Sequence, residues 1–178
     1  MEKFHIIKPS FMYMEGHVDR YAKLCAKVTQ TDGIILVDKS PVQIIADSIR
    51  CIGFNLKGAL ETSKWIMGDS YMCPIMVNPI LRIVVFPTKS INNEDSIWLN
   101  PDQILRTSSY FNKTKIEFKN GHILIVPCRL SAFNTKLQTA EQFRRITCGI
   151  ARDPLCFDLE PKRKRMELGR KKQEKRSN

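Results

Sequence analysis

The chain has 178 residues, 43% of them hydrophobic and 26% charged, the balance of a soluble globular protein long enough to bury a core without disulfides or metal. It carries 29 Lys or Arg against 18 Asp or Glu, a formal net charge of +11. No stretch approaches the roughly 18 consecutive apolar residues of a membrane span, and the first residues lack the apolar region of a signal peptide, so a cytoplasmic protein with no membrane partner is expected.

The charge is uneven. Residues 161–178 hold nine Lys or Arg and two Glu, a net of +7, which leaves 20 basic and 16 acidic residues, +4, to residues 1–160. Such a balance suits a polyanionic partner, because each neutralised phosphate releases condensed counterions. It suits a solvated basic tail equally well.

In chain order, Phe11–Val18 is expected as an apolar strand running into a turn at Gly16. Residues 21–28 alternate apolar and polar, the period of a half-buried strand. Thr31-Asp32-Gly33 turns the chain into Ile34-Ile35-Leu36-Val37, a β-favouring run fit for a central strand. Ser40, Pro41 and Gln43 then form the best helix start in the chain, a capping box with proline at the first helical position. Val42, Ile45, Ile49 and Ile52 recur on one face, and Gly53 marks the stop, so a helix is predicted over 40–53 with Arg50 facing outward.

Residues 54–70 are ambiguous. Pro74 to Pro79 reads as a short extended segment, Ile80 to Phe86 as a strand ended by Pro87, and 90–95 as a polar loop. Ile97-Trp98-Leu99 opens a further extended run that 102–110 can continue. Residues 113–126 read as a hairpin about Asn120-Gly121, taken as a two-residue turn with φ > 0 at both positions. A second helix is predicted over 133–148, with Phe133, Leu137, Ala140 and Phe143 at helical spacing and Gly149 as its end. The fold class is therefore α+β: a mainly antiparallel sheet, two helices, a single domain over 1–150 and a basic tail over 151–178.

Signatures of catalysis are missing. His5, His17 and His122 are far apart; His17 beside Asp19 is better read as a turn histidine, and no glycine-rich phosphate loop is present. The six cysteines are at least eight positions apart and include no C-x₂₋₄-C pair, so a zinc site of the ribbon or finger type is excluded. Cys25, Cys51 and Cys73 sit among apolar neighbours and read as small buried hydrophobes. No enzymatic activity, cofactor, metal or small-molecule substrate is expected.

What remains is a set of cations among small polar and aromatic residues. Arg50, Lys57 and Lys64 lie near Asn55, Thr62, Ser63 and Trp65, and Thr88-Lys89-Ser90 adds a second polar, cationic turn. These residue types hold phosphate oxygens and position proteins on a duplex. Arg144 and Arg145 rank lower, because cations are commonplace near a helix C-terminus. Trp98 reads as core sooner than as a wedge between base steps. No zinc finger, basic zipper or clear helix-turn-helix accompanies the cations, so the residues alone reach "basic α+β protein that suits nucleic acid".

The stretches Ser40 to Arg50 with Gly53, Pro74 to Pro79 and Val85 to Ser90, followed in order by Trp98, the Phe118 to Gly121 turn and Ser131-Ala132-Phe133, resemble the ComK family of competence transcription factors. The resemblance covers roughly residues 20–145; the N-terminus and the tail diverge, and no tail function is carried across. It implies an activator of DNA-uptake genes that binds paired AT-rich boxes of double-stranded DNA, largely through the minor groove, as a homodimer or dimer of dimers associated with the nucleoid. Arg50, Lys57, Lys64, Thr88, Lys89 and Ser90 are the expected DNA contacts. Two alternatives stand beside this reading: an RNA-associated basic protein, and an interaction module that docks through its tail.

Overall fold

The computed structural model describes residues 1–68 and 72–152, so the expected basic tail lies almost wholly outside the described residues. Among the described residues, nine strands and three helices form an α+β structure in which every named strand pairing is antiparallel. Six strands make the larger sheet: β1 (Phe11–Val18), β2 (Leu24–Gln30), β3 (Gly33–Val37), β4 (Ile75–Asn78), β5 (Ile83–Pro87) and β6 (Trp98–Leu99), in spatial order β3-β2-β1-β6-β5-β4. The other three, β7 (Ile104–Tyr110), β8 (Lys113–Phe118) and β9 (Ile123–Val126), form a separate sheet.

The larger sheet is covered on both faces, and β1 shows how one strand serves both. Its register with β2 slips between Phe11 and Tyr13. Such a bulge breaks strict alternation, and Met12 and Tyr13 both join one apolar cluster while Phe11 and Met14 join the other. On the Phe11 side lies α1 (Pro41–Arg50), packed through Ile44, Ile45 and Ile49. Partly buried Leu56, Ala59 and Leu60 of α2 (Leu56–Met67) join it there. On the Tyr13 side lie the small sheet, through Ile116, Phe118 and Val126, and α3 (Leu130–Arg152), through Phe133 and Ala140. Trp98 is buried, as its core reading requires.

The capping box of α1 is present as predicted: Ser40 Oγ accepts from Gln43 N and Gln43 Oε1 accepts from Ser40 N. The helix stops where Gly53, at φ +86°, lets its own N–H bond Arg50 O while Phe54 N bonds Ile49 O, a Schellman closure.

Several expectations are corrected. Gly16 is no turn; it lies inside β1, and a Cβ there would stand 2.5 Å from the Glu94 carbonyl oxygen. The turn comes later, where Asp19 Oδ1 accepts from Tyr21 N and Lys23 N, so His17 is a strand residue. The run from Ile34 is the edge strand of its sheet, not a central one, and Ile34 and Leu36 are exposed. Residues 54–70 contain a third helix, α2, whose N-cap is Asn55.

Ile80, Leu81 and Arg82 form the β4–β5 turn, with Asn78 Oδ1 accepting from Leu81 N, so the strand begins at Ile83. After Trp98-Leu99 a 3₁₀ turn over Pro101–Gln103 diverts the chain into the small sheet. In the β8–β9 hairpin only Gly121 has positive φ; Gly121 N bonds Phe118 O and Phe118 N bonds His122 O, the longer turn that ends in a left-handed glycine. α3 starts at Leu130 and runs through Gly149 to Arg152. Cys25 and Cys73 are buried but Cys51, at the end of α1, is exposed. Among the described residues no helix is long and apolar enough to cross a membrane, and no cluster suits a metal ion.

Candidate nucleic-acid interface

Arg50 sits in the last turn of α1 on the face away from the sheet, its side chain 77% exposed. Its Nη1 is 3.1 Å from Asp47 Oδ1, and the other oxygen of Asp47 is held by Lys39 at 2.5 Å. One carboxylate thus sits between two cations, and an excess of positive charge remains at this end of the helix.

Five residues on, Asn55 Oδ1 caps α2 by accepting from Gly58 N at 2.8 Å. Lys57 and Lys64 are exposed and seven positions apart, two helical turns, so they share a face. Glu61 lies between them on the same face. Among the described residues neither lysine has an ion-pair partner, and Trp65 beside them is 45% exposed.

The 88–90 turn is built differently. Thr88 is buried: its N–H bonds Ile97 O, its Oγ1 accepts from Ile97 N, and its carbonyl accepts from Lys136 Nζ. Its hydroxyl shapes the turn and does not reach outward. Lys89 is tied to Asp95 at 3.2 Å, its backbone N–H bonds Ser96 Oγ, and Ser90 Oγ accepts from Asn92 N at 3.5 Å. The loop rests against the start of α1, where Pro41, Val42, Ile91 and Asn92 line one crevice. Arg50 and the start of α2 stand at the other end of that ten-residue helix, about 15 Å away along its axis. The six expected contacts therefore form two groups that bracket α1.

Several other cations are neutralised in place. Lys23 donates to Asp38 at 2.6 Å, which holds the Asp38 carboxyl below its ordinary range, and Lys27 and Arg106 pair with Glu15 and Glu117. A third group is only partly read from the sequence, which ranks Arg144 and Arg145 as lesser candidates and leaves out Arg82 and Arg152. Arg82, Arg144, Arg145 and Arg152 line a cleft of about 600 Å³ between the β4–β5 turn and α3, with Glu141 the one carboxylate among the described lining residues. Placing Arg82 inside a strand and ending α3 at Gly149 hid the group. Its sequence signal is the 141, 144, 145, 148, 149, 152 spacing of one helical face, visible only if the helix continues past the glycine.

A model of the family described as ComK protein matches residues 1–148. The chain is 24% identical over 138 residues to a protein of Bacillus subtilis (strain 168) named competence transcription factor, covering 77% of this chain and 71% of that one. No solved structure matches it. The family match spans the two sheets and all of α3 but its last turn, and on that basis this chain belongs to the ComK family.

Proposed function

We propose that this protein is a DNA-binding regulator of transcription that activates competence genes, and that its folded body, not its tail, recognises AT-rich promoter boxes. The observation that carries this reading is the extent of the family match: it covers the folded body and stops at residue 148, ahead of the basic run over 161–178. The relative's name, competence transcription factor, supplies the regulatory role. The protein acts by binding, without enzymatic chemistry, in the cytoplasm beside the nucleoid, as a homodimer or dimer of dimers on paired boxes.

Arg50, Lys57, Lys64, Lys89 and Ser90 are the proposed contacts, and Thr88 holds the turn that presents Lys89 and Ser90. Cations on loops and helix ends suit the narrow minor groove of A-tracts, whose negative potential draws inserted arginine and lysine. A specific feature favours a second mode. α1 and α2 are consecutive helices joined by five residues that include Gly53, and α2 shows Lys57, Thr62, Lys64 and Trp65 to solvent. That connection is close to a helix-turn-helix, in which the second helix enters the major groove.

Fluorescence anisotropy on AT-rich and GC-rich duplexes tests the reading, using the full chain and a chain lacking 161–178. The AT preference survives the deletion, with a log–log salt slope near about −5 if six phosphates are neutralised. A shortened chain that binds both duplexes equally overturns it. Arg50→Ala weakens binding and leaves the thermal midpoint nearly unchanged, because an exposed i,i+3 pair contributes only about 0.2–0.5 kcal/mol. Competition by a minor-groove-binding dye supports the first mode; competition by a major-groove dye alone supports entry through α2.

A further inference from the structure

We infer that the arginine cleft between the β4–β5 turn and α3 is a phosphate clamp that grips the DNA backbone; the inference rests on the DNA-binding reading above. Glu141, Arg144, Arg145, Cys148, Gly149 and Arg152 occupy one face of α3, and Phe143, Ile146 and Ile150 on the opposite face pack against Ile66, Val84 and Met76. The helix thus turns its arginines outward as a consequence of burying its apolar side. Cys148 and Gly149, two small residues between Arg145 and Arg152, leave the floor of the cleft low. Arg82 closes the far side from a turn where its own φ is +56°.

The ordinary explanation of arginines late in a helix is the negative helix end, an effect confined to the last turn. It covers Arg152, the final residue of α3. It does not reach Arg144 and Arg145, which lie two turns earlier, nor Arg82, which belongs to another element. Arg144 is positioned from outside the helix: its Nη1 meets Asp102 Oδ1 at 3.1 Å, and Asp102 is shared with Lys119 at 3.7 Å. Its Nε is buried and finds no acceptor among the described residues. Arg82, Arg145 and Arg152 form no ion pair among the described residues and are exposed.

Three guanidiniums without an ion pair among the described residues, beside Arg144 that is shared with Asp102, outweigh Glu141 and select an anion, and the planar fork of arginine matches phosphate oxygens in pairs. Among the described residues no aromatic ring lines the cleft, so they offer a stacked base no platform. The ligand chemistry is that of phosphate oxyanions, carried by the DNA backbone or by a free phosphate compound. In a DNA-binding protein the backbone is the source this site fits.

The test compares the full-length protein with two double variants, Arg82→Asn/Arg145→Ala and Arg82→Lys/Arg145→Lys. Asparagine tolerates the left-handed backbone at position 82, and Arg144 is left in place because it is tied to Asp102. Thermal melts of all three are expected to coincide, and a neutralised pair that melts early is replaced by Arg145→Ala alone. On DNA, the neutralised pair binds AT-rich and GC-rich duplexes more weakly by the same factor, and its salt slope falls by about 1.8, two phosphates at about 0.9 each. The lysine pair keeps the slope.

Titration of wild type with inorganic pyrophosphate, followed by calorimetry, reads the cleft without DNA. An unchanged DNA slope with saturable pyrophosphate binding that the neutralised pair loses overturns the clamp and gives the site to a free phosphate compound. An unchanged slope with no pyrophosphate binding overturns the site altogether. If wild type itself shows no salt-dependent DNA binding, the DNA reading falls, and pyrophosphate binding alone decides whether the cleft takes phosphate.

Discussion

Gly16 shows how much one residue can mean different things in sequence and in space. A glycine after an apolar run is ordinarily a turn, and the real turn three residues on is formed by Asp19 with Ala22 at φ +58°. The reason for glycine is a backbone carbonyl 78 positions away: any Cβ would meet Glu94 O at 2.5 Å. Gly16→Ala is therefore expected to destabilise the protein by about 1–3 kcal/mol, since a main chain must shift to admit one methyl; the midpoint of a urea titration measures it. The opposite holds for Gly53 and Gly121, whose positive φ follows from helix closure and hairpin chemistry local to each, although the hairpin turn is longer than the two residues Asn120-Gly121 suggested. Arg50 was equally legible, because the phase of an amphipathic helix determines which residues face water. Thr88 was not, because its partners lie beyond its own turn, Ile97 just ahead of β6 and Lys136 on α3.

Among the elements, α1 and the β8–β9 hairpin were readable because each encloses its own stop and start signals. α2 was hidden. Gly58 lowers its helical tendency, and its buried face is interrupted by the polar Ser63, whose Oγ donates to Pro74 O. Its start depends on Asn55, whose 2.8 Å bond to Gly58 N satisfies one of the free amides of the first turn. Asn55→Ala is expected to lower stability by about 1 kcal/mol, and to loosen the start of the helix that carries Lys57. Amide hydrogen exchange is expected to speed up from Lys57 to Leu60 while α1 keeps its protection. Uniform protection in α2 would show that packing, not the cap, holds its first turn. The end of α3 failed for the converse reason: a glycine stops a helix that has nothing to pack against, but Ile146 and Ile150 extend its buried face past Gly149.

At the scale of the molecule, the two sheets are joined by a small number of large side chains. Phe133 opens the buried face of α3 and stands 5.8 Å from Phe86 of the larger sheet, in a cluster that includes Ile116, Phe118 and Val126 of the smaller one. Phe133→Ala is expected to cost about 3–5 kcal/mol, the range for a fully buried aromatic. Near- and far-ultraviolet circular dichroism melts of the variant are expected to remain superimposed, because both sheets share that cluster. Separate transitions would mean that the small sheet folds as an independent unit.

The α+β class, the capped first helix, the hairpin and the surplus of cations are properties of residues within a few positions of each other, and the sequence by itself determined them. Tertiary structure alone decided that the run from Ile34 lies at a sheet edge, that Thr88 faces inward, and that Arg82 joins three arginines of α3. Each of these depends on parts of the chain outside the element concerned. Local periodicity says which side of an element avoids water; only the closed fold says what stands on the other side.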